Sequence, residues 1–193
     1  MSRPLLIIAG VVLVLLMLRG GEREQPDGVL VPAAPVQTQI ETAPFEFEGH
    51  RIEVLAGFAL DARVLGKERY WLGREAELSK YDLALGWGRM SDNRVLEQID
   101  ISQSGRWYRW RAEQMPIPRR EIERSSANMH LIAADDWTEK QIGKAAPGDL
   151  VRIKGYLVRV RGGDGWRWQS SLTRDDIGNG ACELIFVEEF EIL

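Results

Sequence analysis

Apolar and polar positions change rhythm several times along this 193-residue chain, and each change marks an element. Leu5 to Leu18 is a continuous apolar run, flanked by Arg3 and Arg19. At ~1.5 Å per residue it reaches ~21 Å as a helix, short of a bilayer core ~30 Å thick. A snorkelling Arg19 and Pro4 extend it by about a turn. A cleavable signal peptide also has a short apolar segment, but it ends in small residues, whereas this run ends Met17-Leu18-Arg19. The pattern therefore predicts an uncleaved, single-pass anchor over residues 1–19. The charges on its two sides nearly balance. The short N-terminal tail favours a cytoplasmic N-terminus with the domain outside. Residues 20–44, rich in Gly, Pro, Glu and Gln, read as a flexible spacer.

From residue 45 onward the rhythm is that of strands. Ile52, Val54, Ala56, Phe58, Leu60, Ala62 and Val64 alternate with period two, as in a strand with one buried face, and a bend is expected near Gly57. Ser79 and Asp82 have capping-box spacing, which predicts helical turns over Lys80–Leu85. Ser91 is expected to cap a helix running to Glu97. Trp107–Arg111 reads as a strand. Pro118 suits the first position of a short helix reaching Arg124. Met129–Ala133 reads as a buried strand, and Asp135 caps a helix that stops at Gly143. After the Pro147-Gly148 turn, Val151 and Ile153 fall on one parity, Tyr156, Val158 and Val160 on the other. A β-bulge at Gly155 accounts for the change. Gly162–Gly165 is a turn, Trp166–Leu172 a returning strand, Thr173–Gly180 a polar loop and Ala181–Val187 a closing strand. The prediction is one α+β domain over residues 45–193. It is mainly antiparallel β, a small curved sheet or OB-like barrel with short helices.

Composition narrows the function. Net charge is -4, which argues against a general nucleic-acid binder. A single cysteine, Cys182, rules out an intramolecular disulfide. The chain has no Walker loop, dinucleotide fingerprint, H-E-x-x-H, zinc-type Cys/His pairing or G-x-S-x-G elbow. No cofactor and no metal is expected.

Three groups of residues carry candidate chemistry. Ser170 to Glu183 concentrates hydroxyls, acids and glycines. Ser171, Arg174, Asp175, Asp176 and Glu183 are its ligand-binding candidates, with Arg174 suited to an anion. Asp175, Asp176 and Asn179 offer oxygens for calcium, though not at EF-hand spacing. The competing reading is a polar turn whose side chains satisfy its own backbone. Cys182 with His130 as base and Asn128 as orienting group would make a nucleophilic set; the competing reading is a small core residue and a buried histidine. Arg106 to Arg111, and Arg159, Arg161, Trp166, Arg167 and Trp168, interleave aromatics with arginines, as in surfaces that stack bases or sugars.

The runs Asp82–Gly88, Ser126–Ile132, Gly148–Val158 and Ser170–Asp176 continuing into Gly178–Glu183 make the domain resemble a family of uncharacterised, membrane-anchored bacterial proteins. The resemblance spans most of Phe45–Val187. It implies a bacterial source and little else, and supplies no activity. The expectation is a non-enzymatic periplasmic module that binds a protein or an envelope component. A hydrolase or transferase built around His130 and residues 170–183 is the alternative. An OB-like binder of single-stranded nucleic acid or glycan is a further one.

Overall fold

A twenty-residue strand, His50–Arg69 (β3), is long enough to pair with four others, and the sheet is organised around it. The computed structural model describes residues 23–173 and 182–193. The apolar run Leu5–Leu18 lies outside them. Among the described residues no helix is long and apolar enough to cross a membrane.

Before β3 come two short strands, β1 (Val36–Thr38) and β2 (Phe45–Phe47). After it come α1 (Arg74–Leu78), β4 (Tyr81–Gly86), a 3-10 turn (Gly88–Ser91), α2 (Asn93–Leu96), β5 (Asp100–Ser104) and β6 (Trp107–Arg111). The chain continues with α3 (Arg119–Arg124), β7 (Ser126–Ala133), α4 (Asp136–Lys144), β8 (Leu150–Arg161), β9 (Arg167–Gln169) and β10 (Glu183–Ile192). The result is an α+β domain with a mainly antiparallel mixed sheet and short helices. Pairing runs β3-β4-β7-β10-β8, and β8 pairs again with β3, so the path returns to its start. β7 and β10 run parallel; the other described pairs are antiparallel.

The alternation in β3 hides a change of face. Ile52 pairs with Val160, but Ala56 pairs with Leu157, because the register shifts between Val54 and Ala56. Ile52 therefore packs with Val158, Val160, Leu184 and Phe186 in one core. Ala56, Phe58, Leu60, Ala62 and Val64 pack with Leu83, Met129, Ile153 and Val187 in another. The irregularity falls just before Gly57, where the bend was expected; Gly57 itself faces β1, its missing Cβ leaving room for the Thr38 hydroxyl. The bulge expected at Gly155 is not in β8. Its register is continuous, and the shifts lie in its partners, at Val54/Ala56 and Val187/Glu189. The parity change in β8 arises because both faces are buried, Val151, Ile153 and Leu157 on one and Val158 and Val160 on the other. Gly155 instead permits a close backbone approach: a Cβ there would overlap the Phe186 carbonyl oxygen.

Lys80–Leu85 is not helical. Tyr81–Gly86 is a strand buried at every position between β3 and β7. Burial on both faces erases the alternation that would have distinguished it from a helix. Ser91 does not cap α2; Asp92 does, accepting from the Arg94 N–H, while the Ser91 hydroxyl accepts from the Leu30 and Val31 N–H groups. Asp135 caps α4 as the sequence suggests, accepting from the Thr138 N–H at 2.7 Å. The returning strand is shorter than expected, Arg167–Gln169, and the closing strand longer, Glu183–Ile192. Within the stretch read as a spacer, Val31 is a core residue and Val36–Thr38 pairs with β3.

Gly155→Ala should cost about 1–3 kcal/mol through overpacking. Gly163→Ala, with open space at its Cβ, should be near neutral; chemical denaturation of both variants checks this.

Candidate functional site

A polar cluster lies on the face of β4 and β7 that points away from the larger core. Register puts Asp82 beside His130 and Ala84 beside Asn128. Because β10 runs parallel to β7 with Glu183 beside Met129 and Leu184 beside His130, Cys182 enters next to Asn128.

The β5–β6 hairpin supplies the cation. Its two turn residues, Gly105 and Arg106, both have positive φ, 57° and 71°, the conformation of a tight two-residue hairpin turn. For arginine this costs about 1–2 kcal/mol. Several interactions hold it there. The Arg106 N–H donates to the Tyr70 hydroxyl at 2.9 Å. Its guanidinium donates to Asp82 Oδ1 at 2.6 Å and to the Ser79 carbonyl at 2.7 Å. The same guanidinium lies 3.9 Å from the centroid of the Tyr70 ring. Asn128 closes the network, donating to Asp82 Oδ2 (3.3 Å) and the Arg106 carbonyl (3.2 Å) and accepting from Gln103 at 2.7 Å.

Asp82 has no exposed surface and His130 is 5% exposed. His130 Nδ1 comes to 2.9 Å from Asp82 Oδ1. That approach lacks hydrogen-bond geometry, which leaves Nδ1 a buried ring nitrogen with no hydrogen-bond partner among the described residues. The opposite side of the cluster is Trp168, its ring centroid 5.1 Å from that of His130. Burial, aided by the negative charges of Glu183 and Asp82, pushes the Cys182 thiol up to about 11, with the Asn128 amide pulling weakly the other way. A reactive cysteine needs the reverse shift.

Of the sequence candidates, Asn128, His130 and Cys182 are brought together. Glu183 is buried at the start of β10. Ser171 is buried in the preceding loop, its hydroxyl bonded to the Thr173 backbone. Arg174, Asp175 and Asp176 lie outside the described residues, as does Asn179. Among the described residues no group of three or more His, Cys, Asp or Glu is placed to hold a metal.

The aromatic-basic clusters are divided by the strands that carry them. Trp107, Arg109 and Arg111 lie on the exposed side of β6. Trp110 packs against a third core of Met90, Val95, Ile99, Ile117 and Ile122. Arg159 and Arg161 both hold Glu53, at 2.9 and 2.6 Å. Trp166 and Trp168 pack on the second core. An open groove of about 710 Å³ lies elsewhere, lined by Arg63, Asn93, Leu96, Ile99 and Ile101 among others, and contains none of the sequence candidates.

Sequence reasoning missed Asp82, placed there in a helix cap, and the tip formed by Tyr70, Trp71 and Leu72. Trp71 is 72% and Leu72 91% exposed. The signal was present: a lone acid amid Tyr81, Leu83, Ala84 and Leu85, and an aromatic pair beside a glycine at a strand end. Comparison with protein-family models, curated proteins and solved structures yields no match.

Native Cys182 should react with iodoacetamide at neutral pH far more slowly than the unfolded chain. The folded thiol holds its proton more tightly than the ordinary value of 9.0. Its contribution to stability is therefore complete below pH 9.0 and lost as pH rises through about 11. Comparing denaturation midpoints of the native chain and Cys182→Ala across that range isolates the effect.

Proposed function

We propose that the chain is an OB-like barrel, anchored in a bacterial inner membrane by Leu5–Leu18 and displayed in the periplasm, where it binds a protein or envelope component. The strand circuit β3-β4-β7-β10-β8, its parallel β7–β10 pair and the helix α4 between β7 and β8, the third and fourth of these strands in chain order, support the OB-like reading. In such barrels the face of the second and third strands and the loops after the first and fourth strands carry ligands. Here those are β4 and β7, the loop holding Trp71, and the loop after β8. The apolar run Leu5–Leu18 between Arg3 and Arg19, which lies outside the described residues, supports the location.

The observation that carries the non-catalytic reading is the commitment of the buried Asp82 carboxylate to structural partners. Asp82 is held by Arg106 and Asn128, and the only thiol is protonated at neutral pH. Binding chemistry is left at the rim, where Trp71 and Leu72 are exposed. The convergence of Asp82, Asn128, His130 and Cys182 favours a hydrolase or transferase as the second reading. Single-stranded nucleic acid fits less well, given a net charge of -4 and arginines already committed to Glu53 and Asp82.

The full chain should sediment with membranes and be cleaved by protease added to spheroplasts but not to intact cells. Cys182→Ala and His130→Ala should retain whatever binding the native chain shows. Turnover of a defined substrate that both variants abolish would replace the binding reading with the enzymatic one.

A further inference from the structure

We infer that the domain sits directly on the bilayer, with the groove beside Arg23 turned toward the phospholipid headgroups, an assignment that rests on the membrane anchor of the proposed function. The stretch from Arg23 to Val31 is a strap across the domain rather than a spacer. The Arg23 N–H donates to the Pro147 carbonyl at 2.7 Å, and its guanidinium pairs with the buried Asp149 at 3.3 Å. The Arg23 carbonyl fits against Gly148, where a Cβ would overlap it. Asn93 donates to the Gln25 carbonyl. The Gly28 N–H donates to Asp92 at 3.0 Å. The Leu30 and Val31 N–H groups both donate to the Ser91 hydroxyl at 3.0 Å, and the Gly88 N–H donates back to the Val31 carbonyl at 2.7 Å. Ser91 and Asp92 are buried, and Val31 is a core residue. Lifting the strap would leave these buried acceptors short of their donors, which is costly.

Only Gly20, Gly21 and Glu22 separate Arg19, at the end of the apolar run, from the pinned Arg23. Fully extended, that span reaches at most ~14 Å. The headgroup layer of one leaflet is itself ~5–8 Å deep. The face at Arg23 therefore stays at the membrane surface while Leu5–Leu18 is inserted. That face holds the open groove lined by Arg23, Arg63, Asn93 and Glu97 among others. The charged residues of the lining, Arg23 and Arg63 with Glu24 and Glu97, balance, so covalent reach rather than charge makes the contact. β8 begins beside this face, Leu150 pairing with Arg63. It runs to Arg161, up to ~36 Å along the strand. Gly163 lies in the turn beyond, and Asp164 of that turn pairs with Arg74, next to the loop of Trp71. The exposed Trp71 rim thus stands at the end of the domain opposite the bilayer.

The test uses the full chain as a Cys182→Ala variant carrying a single bimane label, reconstituted in phosphatidylcholine vesicles with nitroxide-labelled headgroups. The label is placed at Glu97→Cys on the groove or at Gly163→Cys on the far turn; Glu97 is exposed and Gly163 has open space at its Cβ. The Glu97→Cys label should be quenched several-fold more strongly than the Gly163→Cys label. A Gly/Ser insertion of about twenty residues between Gly20 and Gly21 adds about 25 Å of mean reach and should bring the groove label down to the level of the far one. Equal quenching at the two positions, or groove quenching that the insertion leaves unchanged, overturns the seating on the bilayer while the anchor stands. A chain that fails to float with the vesicles, or that is recovered without Leu5–Leu18, overturns the anchor and the seating with it.

Discussion

A carboxylate with no exposed surface needs a partner, and the Asp82–Arg106 pair is the constraint on which the polar half of this domain depends. An unpartnered buried charge costs about 3–5 kcal/mol, a large part of the stability of an ordinary domain, roughly 5–15 kcal/mol. Buried pairs rarely exceed well-packed apolar residues in net stability, so the pair matters chiefly for what it positions. It draws the hairpin tip down onto β4 and holds an arginine in a left-handed conformation. It also sets the Arg106 carbonyl where Asn128 bonds to it, and contributes to the field that keeps Cys182 protonated. The hairpin in turn brings Ile101 and Trp110 onto the third core.

The strands are two-sided for the same reason the sheet closes on itself. β3 and β8 each serve one core at one end and a second core at the other. Irregularities at Val54/Ala56 and Val187/Glu189 exchange the faces. Phe45 and Phe47 close the second core edge-on against Phe186, each with centroids 5.1 Å apart. This leaves the larger hydrophobic interior undisturbed while the opposite face of β4 and β7 is free for polar chemistry.

How much of this the chain reveals unaided depends on local signals. The α4 cap at Asp135, the Gly162–Gly165 turn and the strand character of β3, β6 and β7 rest on short-range chemistry and are legible. β4 is not, because a strand buried on both faces has no rhythm. The bend near Gly57 is legible, but the exchange of faces there is not, because Ile52 and Ala56 keep the same parity while facing different cores. For the site, Asn128, His130 and Cys182 stand out by residue type, but their meeting depends on the parallel pairing of β7 with β10, which no local pattern encodes. Asp82 was masked by a plausible cap with Ser79, and Arg106 by its place in an aromatic-basic run. Trp71 and Leu72 carried a visible signal, yet only their exposure distinguishes a rim from a core.

The central claim is that Asp82 and Arg106 act as a latch between hairpin and sheet. A double-mutant cycle with Asp82→Asn and Arg106→Gln, read by unfolding free energy and by amide exchange, tests it most directly. The account predicts strong coupling, about 2–3 kcal/mol, with amide protection in Asp100–Arg111 falling in either single variant while Leu150–Arg161 stays protected. Additive effects, with the hairpin amides unchanged, would contradict it.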